Sequence, residues 1–413
     1  MRWGGVCGLR KLSLRRVILI EISCVFLLGG SLANAASFQR LGFPGLGSTD
    51  PNQPHLRSRI TGLSGDGRIV TGSSISPIGG AFFRFDLETG SELAAPTAPP
   101  GFGLSMNALS TDGSVVVGGL RLPLAESAYR WTSESSFVEI HDPNGGTRGS
   151  RAIGVSGDGS IVVGRSATTT YAFQNRAFKW TATTGLVALE GNLNGSSGSH
   201  STATDVSSDG SIILGHASMF FEENGSVFYS QGEGTVWDVR GARAIGKGIP
   251  VDLSANGTVA VGHVDQSPSG GNADFAKVWY LGEYGGELLR YRDSGGVVSG
   301  KATAVSGDGQ VIVGYAGSAN NSRAFIWTPD NGAEELAVFL AALGLTTDGL
   351  SLTTATGISD DGMRIVGWGY NPEGDAEGWI VTIPEPNTSF TLLLGLMVLA
   401  RYRSSSGSER TAQ

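Results

Sequence analysis

One ten-residue pattern occurs seven times in this chain and limits what the chain can fold into. In the copy from Val155 to Gly164, "VSGDGSIVVG", a Ser-x-Asp-Gly turn precedes a β-branched run and a glycine. Successive copies are 46 to 53 residues apart. A unit of this length cannot bury its apolar residues alone, so the copies must pack against one another as an array. The acid-or-amide position of the seven turns falls on Asp66, Asp112, Asp158, Asp209, Asn256, Asp308 and Asp361.

The unit around Asp308 shows which secondary-structure elements one repeat contains. "KATAV" predicts a strand, and "SGDG" predicts a tight hairpin in which glycine supplies the left-handed backbone and the Asp oxygen accepts turn amides. "QVIVG" predicts a strand buried on both faces, and "RAFIWT" predicts a third strand. "EELAVFL" suggests a fourth strand, although "ELAVFLAALGL" also has some helical periodicity. Three or four short strands per repeat describe a propeller blade. The sequence therefore predicts an all-β, seven-bladed β-propeller over residues 36–383.

The two ends of this array predict how the ring closes. The first repeat is preceded by "SFQRLGFPG", a strand-like segment, and the last repeat reaches "EGWIVTI" without a further outer strand. We expect the N-terminal strand to complete the last blade, because this removes an exposed sheet edge.

Aromatic residues recur at one position of the third strand. Packing between neighbouring units is the favoured interpretation, and a stacking platform for sugars is the alternative. Five of the eight tryptophans and one phenylalanine hold this position: Phe85, Trp131, Trp180, Trp237, Trp279 and Trp327.

The N-terminal segment predicts export. A basic leader, the apolar stretch "VILIEISCVFLLGG" and the Ala33-Asn34-Ala35 triplet are typical of a signal peptide over residues 1–35. Both cysteines, Cys7 and Cys24, lie within it, so the mature chain would have neither disulfides nor thiolate sites.

The formal net charge of the chain is −8 and becomes more negative without this leader, which argues against a nucleic-acid partner.

The C-terminal segment, residues 384–413, combines three features in a fixed order: Pro384, Glu385 and Pro386 precede an apolar run, which Arg401 and Arg403 follow. The segment therefore resembles the PEP-CTERM sorting signal of Gram-negative bacteria. That resemblance implies processing by an exosortase-like enzyme after transient membrane contact. The apolar run, from Phe390 to Ala400, is about half of the ~20 residues that span a bilayer.

The repeats themselves resemble the HAF-repeat class of bacterial extracellular proteins. The resemblance rests on units of the form "RAxxVSxDGxxVVG" followed by "RAFxWT", and on "GWIVTIPEP" near the end. It implies a cell-surface or extracellular-matrix location and carries over no catalytic residues.

No linear catalytic or cofactor motif is present. Seven near-identical turns indicate folding units, whereas a catalytic residue is normally unique. His216 and His263 hold equivalent repeat positions, but no third metal ligand is evident, so neither metal nor cofactor is expected. Glu222 and Glu223, in the insertion from Ala217 to Gly234, are where an enzyme hypothesis would begin.

One variable repeat position is the candidate ligand site. It follows the constant glycine and is occupied by Ser73, Gly119, Arg165, His216, His263, Tyr315 and Trp368. Ordinary variation in solvent-facing loops is one interpretation, and a ring of ligand contacts through Arg165, His216, His263, Tyr315 and Trp368 is the other. The sequence favours a non-catalytic interaction module for extracellular polysaccharide or a surface protein. A propeller-type glycosidase or lyase is the alternative.

Overall fold

The structure of the protein is a computed structural model that describes residues 36–383, apart from short connections. The predicted leader (1–35) and the predicted sorting segment (384–413) lie outside the described residues. Within the described residues, no helix is long and apolar enough to cross a bilayer. The undescribed positions between 36 and 383 are 43, 45–56, 77–78, 99–101, 122–125, 142–148, 168–174, 190–198, 224–225, 230–231, 266–273, 293 and 318–320.

Each repeat folds as one antiparallel sheet, here termed a blade and numbered in chain order. The chain enters through β1 (Ser37–Gly42). Blade 1 contains β2 (Arg57–Leu63), β3 (Ile69–Ser76), β4 (Gly79–Asp86) and β5 (Ser91–Leu93). Blade 2 contains β6 (Gly103–Leu109), β7 (Val115–Arg121), β8 (Glu126–Thr132) and β9 (Ser136–Ile140). Blade 3 contains β10 (Ser150–Val155), β11 (Ile161–Ala167), β12 (Asn175–Thr181) and β13 (Gly185–Ala188).

The remaining blades repeat this order of strands. Blade 4 contains β14 (Ser199–Val206), β15 (Ile213–Glu223), β16 (Ser226–Tyr229), β17 (Glu233–Asp238) and β18 (Gly241–Lys247). Blade 5 contains β19 (Ile249–Leu253), β20 (Val259–Asp265), β21 (Asp274–Tyr280) and β22 (Glu287–Leu288). Blade 6 contains β23 (Gly300–Val305), β24 (Ile312–Ala316), β25 (Arg323–Thr328) and β26 (Gly332–Glu335), then α1 (Leu336–Ala342). Blade 7 contains β27 (Ser351–Ile358), β28 (Arg364–Tyr370) and β29 (Ala376–Thr382).

The predicted seven-bladed propeller and its closure are both confirmed. β1 pairs antiparallel with β29 as the outer strand of blade 7. Arg40 forms an ion pair with the buried carboxylate of Glu377, which ties the two ends of the ring by side chains as well. Ser58 of blade 1 reinforces the seam, because its Oγ donates to Gly42 O at 2.5 Å and accepts from Gly378 N at 3.0 Å.

The stretch "EELAVFL" is a strand only at its beginning. Strand β26 ends at Glu335, and the following seven residues form α1. Leu336 and Leu340, one helical turn apart, are fully buried in the core between blades 6 and 7. The helical spacing of its apolar residues therefore makes most of this segment a helix, as the periodicity of "ELAVFLAALGL" suggested.

The constant glycine of each second strand lies where a side chain would collide with backbone. A Cβ on Gly314 would lie 2.1 Å from Lys301 O, and one on Gly164 would lie 2.0 Å from Arg151 O. The cause is a β-bulge in each innermost strand, which brings that carbonyl close to the second strand. The bulged residues are Thr61, Asn107, Ile153, Thr204, Val251, Thr303 and Thr356.

The recurring aromatic position lies in the core between blades, which supports the packing interpretation. Trp237 of blade 4 packs with Val163 and Ala177 of blade 3. Trp279 of blade 5, which is fully buried, packs with Leu214 of blade 4. These side chains bury the sheet faces that a single blade would expose.

Candidate functional site

The seven turns form a closed hydrogen-bonded ring at one end of the central channel, here termed the turn end. In each turn the Ser hydroxyl donates to the Asp or Asn oxygen, as Ser156 Oγ does to Asp158 Oδ1 at 2.7 Å. Asp158 Oδ1 also accepts Ser160 N at 2.9 Å, and Gly159 has φ of 71°. Main-chain bonds of 2.7–3.2 Å then join each turn to the next, through residues Gly65 or Asp66, Thr111, Gly157, Ser208, Ala255 or Asn256, Gly307 and Asp360.

The bulged residues form a second ring within the channel. Four of their side chains donate to the carbonyl just before the bulge of the next blade. Asn107 Nδ2 donates to Ala152 O at 2.6 Å, and Thr356 Oγ1 donates to Ile60 O at 3.0 Å across the closure of the ring. Thr204 and Thr303 make the equivalent bonds to Pro250 O and Ala355 O. The polar side chains of these four bulged residues are therefore used in hydrogen bonds that join neighbouring blades.

Asp205 and Asp252 form a buried carboxyl pair in this channel. Both follow a bulge, at a position that holds glycine or alanine in the other five repeats. Asp205 Oδ2 accepts Leu253 N at 2.9 Å, Asp252 Oδ2 accepts Val305 N at 2.7 Å, and the two carboxyl groups hydrogen-bond to each other. Burial raises the pKa of both, so the pair retains a proton above the ordinary range of aspartate. Sequence analysis missed this pair, although Asp205 and Asp252 are visible exceptions in the aligned repeats.

The channel opens at its other end, the far end, into a cavity of about 740 Å³, here termed the basic cavity. It shares Thr61, Asn107 and Ile153 with the narrower channel of about 320 Å³ that reaches the turns. The second strand of each blade runs away from its turn, so Arg165 lies roughly 13 Å from the start of β11. The lining residues of the basic cavity are Thr61, Met106, Asn107, Arg151, Ile153, Arg165, His200, Thr202 and His216.

Among the described residues, two guanidinium groups and no acid line the basic cavity. Arg165 is half-buried, and its guanidinium makes no hydrogen bond or ion pair to another described residue. Arg151 lies opposite it on β10, with Nε 3.3 Å from Glu126 Oε1 and Nη2 3.3 Å from Ser105 Oγ. An unpaired guanidinium in a concave site is a ready donor for an anion.

The two histidines of the cavity are held neutral at pH 7. Desolvation lowers the pKa of His216 to about 4, and the nearby His200, His263 and Arg165 lower it further. His216 Nδ1 is buried without a hydrogen-bond partner in the described structure. Burial and Arg165 likewise lower the pKa of His200, whose ring lies within hydrogen-bonding distance of Asn175.

His263 and Tyr315 belong to a neighbouring cluster and do not line the basic cavity. His263 Nε2 lies 3.2 Å from Lys301 Nζ, which forms an ion pair with Asp274 at 3.1 Å. Tyr315 is paired in register with Lys301, and burial together with Asp274 raises its pKa. This cluster is internally charge-compensated.

Trp368 lies apart from both groups, at the seam of blades 7 and 1. The guanidinium of Arg59 lies 4.2 Å from the centroid of its ring, and Tyr370 makes an edge contact with it at 5.7 Å. Of the five ligand candidates, the structure therefore brings only Arg165 and His216 into one cavity. Arg151, His200 and Thr202 complete it, and sequence analysis did not select them because they lie on first strands.

Two further hypotheses from the sequence concern an enzyme site at Glu222 and Glu223 and a metal site. Glu222 and Glu223 lie on the hairpin of β15 and β16, and their side chains fall outside the described part. Among the residues that the structure describes, no three or more His, Cys, Asp or Glu side chains are grouped to hold a metal ion.

Comparisons with known proteins bear on the fold alone. No family model and no curated protein matches the sequence. The chain is similar in structure to an oligogalacturonate lyase from Vibrio parahaemolyticus, with a TM-score of 0.50, 12% identity, and coverage of 86% of this chain and 98% of that one. A TolB from Acinetobacter baumannii gives a TM-score of 0.37 at 17% identity, over 55% of this chain and 51% of that chain. This chain therefore spans about half of that TolB.

Proposed function

We propose that this protein is an exported, non-catalytic interaction module that binds extracellular polysaccharide, or a surface protein, at the far end of its propeller. The observation that carries the proposal is the basic cavity, in which the guanidinium of Arg165 has no partner among the described residues. Arg165 is particular to one repeat, whereas the residues common to all seven form the turns and pack between blades.

The experiment is a binding screen of the purified protein against a panel of bacterial polysaccharides, with released products recorded in the same samples. We expect retention without cleavage. The variant Arg165→Gln tests the cavity, and Arg176→Gln is its control, because Arg176 is an exposed arginine on the adjacent strand β12. Equal loss of binding in both variants would contradict a site in the cavity.

A carbohydrate-active enzyme is the competing function, and the structural similarity to a lyase motivates keeping it in the screen. The aspartate pair fits a glycosidase poorly, because catalytic carboxyl groups stand about 5 Å or more apart and these two hydrogen-bond directly. Product release that is abolished by Glu222→Gln or Glu223→Gln would establish the enzyme and overturn the module.

We also propose that the segment from Pro384 to Gln413 directs the protein to the cell surface or matrix of a Gram-negative bacterium. Its PEP triplet, apolar run and arginines motivate this proposal. Deletion of residues 384–413 should change the distribution of the protein among membrane, surface and medium fractions. An identical distribution of truncated and full-length protein would contradict the sorting function.

A further inference from the structure

We infer that the basic cavity binds a sugar unit bearing an oxyanion, that is, an acidic residue of a polysaccharide carrying a carboxylate or a sulfate ester. This inference rests on the proposed function and names the ligand class of the same site. It starts from the charge of the lining, where the described residues include two guanidinium groups and no carboxylate.

Arg165 is the primary oxyanion contact. Its guanidinium is half-buried, lies in the cavity wall, and has no acidic partner among the described residues. A planar guanidinium can donate two parallel hydrogen bonds to a carboxylate or sulfate. Arg151 is opposite in register and forms an ion pair with Glu126 at 3.3 Å, so Arg165 is the guanidinium of the lining without an acidic partner among the described residues.

The polar uncharged groups of the cavity suit the hydroxyl groups of a sugar. His216 presents a buried Nδ1 without a partner among the described residues, and Thr202 lies in the same lining. Neutral imidazole both donates and accepts hydrogen bonds, as does a sugar hydroxyl. The volume of about 740 Å³ lies in the range of pockets that enclose small ligands.

The charges around His216 make binding proton-linked. His216 faces His200 from β14, Arg165 from β11 and His263 from β20, while Glu233 on the adjacent strand β17 bonds to the hydroxyl of Tyr284. Desolvation is the largest cause of the lowered pKa of His216, and the charge of Arg165 adds to it. An oxyanion bound to Arg165 offsets that charge and therefore favours protonation of the ring. Affinity should therefore increase as pH falls from 7 to 5, and His216→Asn should weaken that dependence.

The test uses three probes with one backbone: a hexuronic acid oligomer, its carboxyl-reduced neutral form, and a sulfated form of the reduced oligomer. We expect the full-length protein to bind at least one acidic oligomer and to bind the neutral form at least about ten-fold more weakly. Arg165→Gln should weaken acidic-oligomer binding about ten- to a hundred-fold, and Arg165→Lys should weaken it less. Arg176→Gln should leave it unchanged.

Binding of the neutral form as tight as that of the acidic forms would overturn this inference and leave the polysaccharide module standing. Unchanged affinity in Arg165→Gln would also overturn it, because the inference makes this guanidinium the primary oxyanion contact. Failure to retain any polysaccharide, acidic or neutral, would overturn the polysaccharide-binding function as well and leave the surface protein as the partner. Circular dichroism of each variant verifies that the propeller is folded.

Discussion

At the scale of single residues, the repeated positions build the ring and the exceptions to the repeat create chemistry. The constant serine, aspartate and glycine of the turns bond to one another and to the next turn. Arg165 and His216 hold the variable position after the constant glycine. Asp205 and Asp252 hold a position that is glycine or alanine in the other five blades. A residue that departs from a strict repeat is therefore the better candidate for function.

The constant glycines provide a direct test of the bulge geometry. Gly314→Ala should lower the free energy of unfolding by about 1–3 kcal/mol, because its Cβ would lie 2.1 Å from a backbone oxygen that cannot move without disturbing two strands. Gly282→Ala is the control, since nothing lies within 4 Å of a Cβ at that position. Chemical denaturation of both variants measures the difference, and equal stability would contradict the close approach.

The aspartate pair predicts a pH dependence of stability. Its raised pKa means that the folded chain holds a proton that the unfolded chain releases near pH 4, so folding becomes less favourable as pH rises from about 4 through the raised pKa. Asp205→Asn should stabilise the protein at pH 8 and flatten this slope. A steeper slope, or a loss of stability at pH 8, would contradict the shared proton.

A turn aspartate four residues away should respond with the opposite sign. Hydrogen bonds from Ser207 and Ser211 lower the pKa of Asp209, so its ionised form stabilises the fold above about pH 4 and that contribution disappears as pH falls below this value. Asp209→Asn should therefore reduce stability at pH 7. Unfolding curves recorded between pH 3 and 8 distinguish the two variants.

At the scale of secondary-structure elements, closure by β1 should contribute much of the resistance to unfolding. Several main-chain hydrogen bonds join β1 to β29, each worth about 1 kcal/mol, and without β1 the strand β29 becomes an exposed edge. Removal of residues 36–42 should lower the melting temperature and promote association. A synthetic peptide of residues 36–42 should reverse part of the loss. Unchanged melting after removal would contradict the closure.

The strands were predictable because their signals are local. Asp-Gly turns, β-branched runs and the alternation in "RAFIWT" each specify an element within a few residues. The bulges were not predictable from local sequence, because a bulge at Thr303 or its counterparts is defined only by how that strand pairs with the next one. Part of the basic cavity was predictable from the sequence, because Arg165 and His216 occupy the variable repeat position. Arg151 and His200 were not predictable, because strand pairing brings them into the cavity.

At the scale of the whole molecule, charge is distributed unequally along the central channel. Asp360 at the turn end has a pKa raised by burial and by the nearby Asp361 and Asp66, and the aspartate pair lies in the same channel. Arg151 and Arg165 line the far end. An anionic ligand is therefore attracted at the far end and repelled from the turn end.

The most direct measurement is a crystal structure of the protein with an acidic oligosaccharide bound. We predict the sugar in the basic cavity, with its oxyanion within hydrogen-bonding distance of the Arg165 guanidinium and the seven turns unchanged. A sugar bound at the turn ring or on the outer strands, with Arg165 making no contact to it, would contradict the central claim that the exceptions to the repeat form the binding site.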